Sequence, residues 1–170
     1  MTIETRIQRH TLSVIVDNEP GVLARVVGLF SGRGYNIESL TVAEIDHRAH
    51  NSRITLVTSG TPQVIDQIQA QLGRLIPVHR VIDLTMETPG IEREMALVKV
   101  AGTDDQRSEA LRQAQAFGAE LIDTTDTSYI FEVADKPGKI DAFINLLVPL
   151  GFVEVSRTGV AAITRGPEAM

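Results

Sequence analysis

Residues 14–43, VIVDNEPGVLARVVGLFSGRGYNIESLTVA, carry the side chains best suited to binding a small molecule. A β-branched run ends at Asp17, and Asn18-Glu19-Pro20-Gly21 reads as a turn. Leu23, Val26, Val27 and Phe30 then recur at i, i+3, i+4 and i+7, the core stripe of an amphipathic helix. The first amides of a helix have no internal acceptor and sit at the positive end of its dipole, so they seat a carboxylate. Gly21 carries no side chain to block a ligand approaching those amides. Asn18 offers a donor and an acceptor to a zwitterion, or serves simply as the helix cap. Val16, Val22 and Leu23 are expected to wall a small apolar pocket beside the seat. A carboxylate seat, an amide and a branched apolar wall fit a free aliphatic amino acid. Asn36, just beyond Gly34, is either a second polar contact or a turn residue that tolerates a left-handed backbone.

Other chemistry is poorly represented. The 170 residues include no cysteine, which removes disulfides, cysteine zinc sites, iron–sulfur clusters and thiol catalysis together. Asp46, His47 and His50 cluster in one loop, but such loops are usually solvated turns, and no metal site is expected there. Gly32-Arg33-Gly34 ends a helix instead of opening one, so it is no dinucleotide fingerprint. Neither a Walker A sequence nor a G-x-S-x-G elbow occurs. Aromatic residues make up 4% and Trp is absent, which argues against stacking platforms for single-stranded nucleic acid. The net charge of −6 opposes phosphate-backbone binding, and no apolar run approaches a membrane span. The opening residues lack a signal-peptide core, so the expected compartment is the cytoplasm.

The elements that position these residues follow from periodicity. Strands are predicted at 10–17, 36–45, 52–58 and 78–84, with helices between 21 and 34 and from Thr61-Pro62 to Pro77. That order, strand-helix-strand-strand-helix-strand, is the ferredoxin-like split arrangement. It recurs in the second half, with strands at 95–100, 120–124, 128–134, 152–156 and 160–164 and helices at 103–117 and 137–148. Asp104 and Asp105 are expected to cap the first of those helices, and the tail from Gly166 to fray. The fold class is α+β with two βαββαβ domains, 1–85 and 86–170, joined near 86–91. Charge divides at the same place: the first half is neutral and the second carries the whole net −6. Each domain is close to the lower size limit for a stable core, which makes dimerisation a physical expectation.

The run from Glu19 to Val42, E-P-G-x-L-x-R-V-x-G-L-F-x-x-R-G-Y-N-I-E-S-L-T-V, closely resembles the ACT domain that opens the regulatory small subunit of acetolactate synthase (acetohydroxyacid synthase). The likeness continues through Arg53-Ile54-Thr55, residues 64–75 and 81–84, Glu92-Arg93-Glu94 and Arg157-Thr158-Gly159-Val160, and covers about residues 9–165. It implies a chain with no catalysis of its own. Its partner would be a separate catalytic subunit using thiamine diphosphate, magnesium and FAD, at the first common step of valine, leucine and isoleucine synthesis. It implies activation of that partner, feedback inhibition by valine, and a homodimer formed through the ACT domains. Valine would sit at the dimer interface. One protomer would offer Asn18, Gly21, Val22 and Leu23, with Val16 behind them; the other would offer Asn36 and Ile37, with Val42 nearby. Two rivals stand beside this reading: an ACT-type sensor for another enzyme, and a small stand-alone enzyme on a ferredoxin-like scaffold. The acidic second half, with Glu109 and Glu120, is a candidate surface for the catalytic partner.

Overall fold

The computed structural model describes residues 6–86 and 90–170. The chain divides into two units, each built on a βαββαβ core. In the first, β1 (Gln8–Asp17), β2 (Ser39–Asp46), β3 (Asn51–Gly60) and β4 (Val78–Asp83) form an antiparallel sheet in the order β2-β3-β1-β4. Helices α1 (Val22–Arg33) and α2 (Pro62–Gly73) cover one face. Alternation decides which face. Leu12, Val14 and Val16 of β1 stand opposite Leu56, Ile54 and Ser52 of β3, and the apolar members form the core with Val26, Phe30, Ile65, Ile68 and Leu72. Thr61 caps α2 through the Val64 amide, and Pro62 follows at its first position, as the sequence indicated.

The second unit repeats the order. It contains β5 (Gly90–Val100), α3 (Asp104–Ala116), β6 (Glu120–Thr124), β7 (Tyr129–Asp135), α4 (Pro137–Leu147) and β8 (Phe152–Arg157). Its strand order is β6-β7-β5-β8, and its core gathers Val98, Phe131, Ile140, Phe143 and Leu147 under the two helices. The cap of α3 is a reciprocal box between Thr103 and Gln106; Asp104 and Asp105 occupy the first turn without being the cap.

Two expectations about organisation change. The expected boundary after residue 85 falls instead at Ile91/Glu92, inside β5, whose first two residues stay with the first unit. Part of the expected linker, residues 87–89, lies outside the described residues. The last eleven residues, assigned by sequence to the second domain, belong to the first unit. Val160 donates its amide to Ser39 and accepts from Thr41 Oγ1, while Arg53 reaches the Ala162 carbonyl. β9 (Ala161–Thr164) pairs with β5, and Ala162 packs with Ile82 and Leu84. Ser39, Thr41 and Arg53 point away from α1 and α2, so the chain end lies on the helix-free face of the first sheet. Met170 packs on the same cluster, so the expected fraying from Gly166 does not describe the last residue.

Glu94, nearly buried, accepts two bonds from Arg157, at 3.0 and 2.7 Å, and Arg157 also reaches Asp141 at 2.6 Å. The hydrogen bonds that Arg157 donates to Glu94 are the main reason the guanidinium pKa lies above its ordinary value, with burial opposing. Arg157→Met is expected to destabilise the chain by about 2–3 kcal/mol, because it strands a buried carboxylate. Urea unfolding checks this, and adding Glu94→Gln should recover most of the loss.

Candidate functional site

The predicted ligand turn lies between β1 and α1. Gly21 is the N-cap residue and holds φ +85°, a left-handed conformation that glycine adopts without penalty. No side chain caps α1, so Asn18 does not play that role. The Val22 amide makes only a long bond of 3.4 Å to the Glu19 carbonyl. The amides of Leu23 and Ala24 find no acceptor among the described residues. An ideal Cβ built on Gly21 meets nothing within 4 Å, so the approach to these amides is open. The helix start is a bare set of donors at the positive end of a dipole.

The turn itself is fastened on both flanks. The Asp17 amide donates to the Pro77 carbonyl at 2.9 Å, and its carboxylate meets His79 Nε2 at 2.5 Å. The Asn18 amide donates to the His50 carbonyl at 2.6 Å. His50 has φ +52°, the one positive value on a non-glycine residue among those described. Asp46 shapes the same hairpin by accepting from the Arg48 and Ala49 amides. These contributions of Pro77, His79 and His50 were not read from the sequence. They join segments 32 to 62 residues apart, and no local pattern announces them. His47 of this loop makes a side-chain contact with Glu44 of β2 at 2.7 Å. No group of three possible metal ligands occurs among the described residues.

The expected pocket lining is only partly realised. Val16 and Val22 are buried in the core, so their side chains support the turn from beneath and do not wall an open pocket. Helix α1 is rotated from the predicted stripe: Val22 takes the inward place and Leu23 is 40% exposed beside the turn. Asn18 and Gly21 are exposed. Asn36 is exposed, with its carbonyl accepting from Thr58 Oγ1 at 2.7 Å, and Ile37 packs partly on the core. Val42 stands 45% exposed on β2.

The structure brings Asn18, Gly21 and Leu23 to one end of the unit and Asn36 and Ile37 to the other. The two sets flank α1, whose 12 residues span about 18 Å. One small ligand cannot touch both sets within a single chain. β2 is an edge strand parallel to β1, so it begins at the Asn36 end and finishes at the turn end.

A βαββαβ unit with a bare helix start behind its first strand has the architecture of an ACT domain, and residues 12–80 match the family model of the AHAS small subunit-like ACT domain. Residues 93–166 match the model of the small subunit of acetolactate synthase. The chain is 43% identical over 163 residues to the acetolactate synthase isozyme 3 small subunit of Escherichia coli K12, covering 95% of this chain and 99% of that one. It is 42% identical to the acetolactate synthase small subunit of Aquifex aeolicus VF5, with 94% and 83% covered. The crystal structure of the acetolactate synthase small subunit from Thermotoga maritima matches with a TM-score of 0.82 at 35% identity, over 95% and 99% of the two chains. The chain belongs to the acetolactate synthase small-subunit family.

The left-handed backbone at His50 generates a stability prediction. His50→Val is expected to lose about 1–2 kcal/mol, since a β-branched residue resists that conformation. His50→Gly should unfold within about 0.5 kcal/mol of the parent or above it, because glycine suits the angle and keeps the carbonyl. Thermal denaturation of the pair checks both.

Proposed function

We propose that this chain is the regulatory subunit of an acetolactate synthase, which raises the activity of a separate catalytic subunit and makes it sensitive to valine. In this reading the chain works in the cytoplasm, forms a homodimer through its ACT domain, and carries no cofactor. Thiamine diphosphate, magnesium and FAD belong to the catalytic partner. The observation that carries the proposal is the placement of the bare α1 start and of Asn36 at opposite ends of one helix. If two copies pair antiparallel along β2, the beginning of one strand lies beside the end of the other. Asn36 and Ile37 of one copy then approach Asn18 and Gly21 of the other. The valine carboxylate takes the Leu23 and Ala24 amides, the ammonium meets side-chain oxygens of Asn18 and Asn36, and the branched side chain lies against Leu23, Ile37 and Val42.

Two or three charge-assisted bonds and one buried branched side chain give about 6–12 kcal/mol of gross attraction. Association and ordering oppose this by about 4 kcal/mol or more, which leaves a dissociation constant of roughly millimolar to tens of micromolar. A ligand bridging two protomers favours one quaternary geometry over another, and that is what allows it to regulate.

The deciding experiment assays acetolactate formation by a catalytic subunit, with and without this chain and with and without valine. No change in rate or valine response on adding the chain would end the proposal. Gly21→Asp should raise the valine needed for half-inhibition at least tenfold while activation persists, because its carboxylate competes for the seat. Strain at φ +85° adds only about 1–2 kcal/mol of instability. Asn36→His should weaken valine binding about tenfold, the equivalent of one charge-assisted bond. Unchanged affinity by calorimetry would remove the second protomer from the site.

A further inference from the structure

The segment that carries Asn36 and Ile37 lies between α1 and β2 and belongs to neither. Its near side is anchored by the end of α1. Gly34 turns left-handed at φ +71°, the Tyr35 amide donates to the Phe30 carbonyl at 2.9 Å, and the Tyr35 ring meets Phe30 edge-on. Its far side is anchored by β3. The Glu38 amide donates to the Val57 carbonyl at 2.8 Å, and Ser59 Oγ donates to Glu38 Oε1 at 2.6 Å. Between these anchors Thr58 Oγ1 donates to the Asn36 carbonyl at 2.7 Å. No other hydrogen bond reaches the backbone of Asn36 or Ile37 among the described residues.

That oxygen belongs to the peptide unit that joins the two residues. The unit is planar, so holding its carbonyl restrains the direction in which both residues leave it. Ile37 packs partly on the core, and Asn36 is exposed. The donor is itself held firmly. Thr58 is 1% exposed and lies on the helix side of β3 with Ile54 and Leu56. Its branched Cβ restricts the side-chain rotation. His10, opposite Thr58 on β1, spends Nδ1 on Asp83 Oδ2 at 2.7 Å, and the hydroxyl goes to Asn36. The strand neighbours on this side, Ile54 and Leu56, are aliphatic, and valine would fill the place of Thr58 with nearly the same shape. What threonine adds there is the bond to Asn36.

We propose that Thr58 is a positioning residue for valine: its hydroxyl holds the peptide between Asn36 and Ile37 so that Asn36 is aimed at the ligand before the ligand arrives. The role rests on the regulatory reading above, in which Asn36 and Ile37 of one copy meet the helix start of the other. Thr58 is buried and acts only through Asn36. A peptide left unheld at this point has to be ordered when valine binds, and that cost is subtracted from affinity. The same bond adds little to folding, because the carbonyl of an exposed residue finds water when the hydroxyl is removed. Binding and stability therefore depend on different parts of one side chain, the hydroxyl and the branched methyl.

The test compares the full chain with Thr58→Val and Thr58→Ser, by thermal denaturation and by calorimetric titration with valine. Valine at position 58 keeps the buried shape and lacks the donor; serine keeps the donor and lacks the methyl. The two readouts should move in opposite directions. Thr58→Val should melt near the parent temperature and bind valine about fivefold more weakly, the change that corresponds to one neutral hydrogen bond. Thr58→Ser should melt at a lower temperature and bind valine within about twofold of the parent. In a merely structural role, affinity would follow melting temperature in both variants, and that result overturns the proposal. Unchanged affinity in Thr58→Val, with the parent binding valine, also overturns it and leaves the regulatory reading standing. If the parent binds no valine, the reading and the positioning role fall together.

Discussion

The backbone of residues 17–21 is the constraint on which the first unit depends. The Asp17 amide is spent on Pro77 and the Asn18 amide on His50, so the chain leaves β1 in one direction. Gly21 then turns through φ +85°, and α1 begins with its amides facing outward. Had Asn18 capped the helix, the same amides would be occupied. The two carbonyl acceptors come from opposite flanks, the β2–β3 hairpin and the α2–β4 connection. The turn is therefore set by the whole unit and not by its own four residues. In the proposed site the donors are backbone groups held in place without a ligand, so little ordering would oppose binding.

The sequence carried most of the secondary structure and part of the site. Every predicted strand and helix is present, most within a residue or two of its expected ends, because period-two and period-3.6 patterns are strong here and glycine or proline marks the boundaries. The inward face of α1 was less legible. Val22, Leu23, Val26, Val27, Leu29 and Phe30 are all apolar, so two stripes one residue apart are almost equally good. Burial of Val22 in the core with Val26 and Phe30 decides between them, and Leu23 is left exposed beside the turn. The clamps on Asp17 and Asn18 left no trace at all. A carbonyl acceptor has no residue type, and His50 was conspicuous only for its side chain.

The chain end shows the same limit at a larger scale. Residues 160–164 read correctly as a strand, but a strand pattern does not name its sheet. Small and polar residues on the outer face of the first sheet, Ser39, Thr41 and Arg53, are what receive the segment. The outer face of the second sheet carries Leu97, Lys99, Ile130 and Glu132, which no element of that unit covers. One fold used twice in one chain thus presents two outer faces of different character, and charge marks the division.

The regulatory reading places two demands on the molecule that the fold meets at different sites. Sensing needs a ligand whose contacts exist in only one quaternary arrangement, and a seat at one end of α1 with its complement at the other supplies that condition. Transmission needs a surface that reports the arrangement to the partner. If valine and the catalytic subunit each prefer one arrangement, linkage makes the effect reciprocal: binding of the partner must change the affinity for valine by the same factor that valine changes binding of the partner. A coupling of about 1–3 kcal/mol, or five- to 150-fold, is the usual scale for such devices. It requires no contact between the two ligands. In that reading both need only act on the proposed pairing along β2, an edge strand that carries Glu44 and Asp46 at its end.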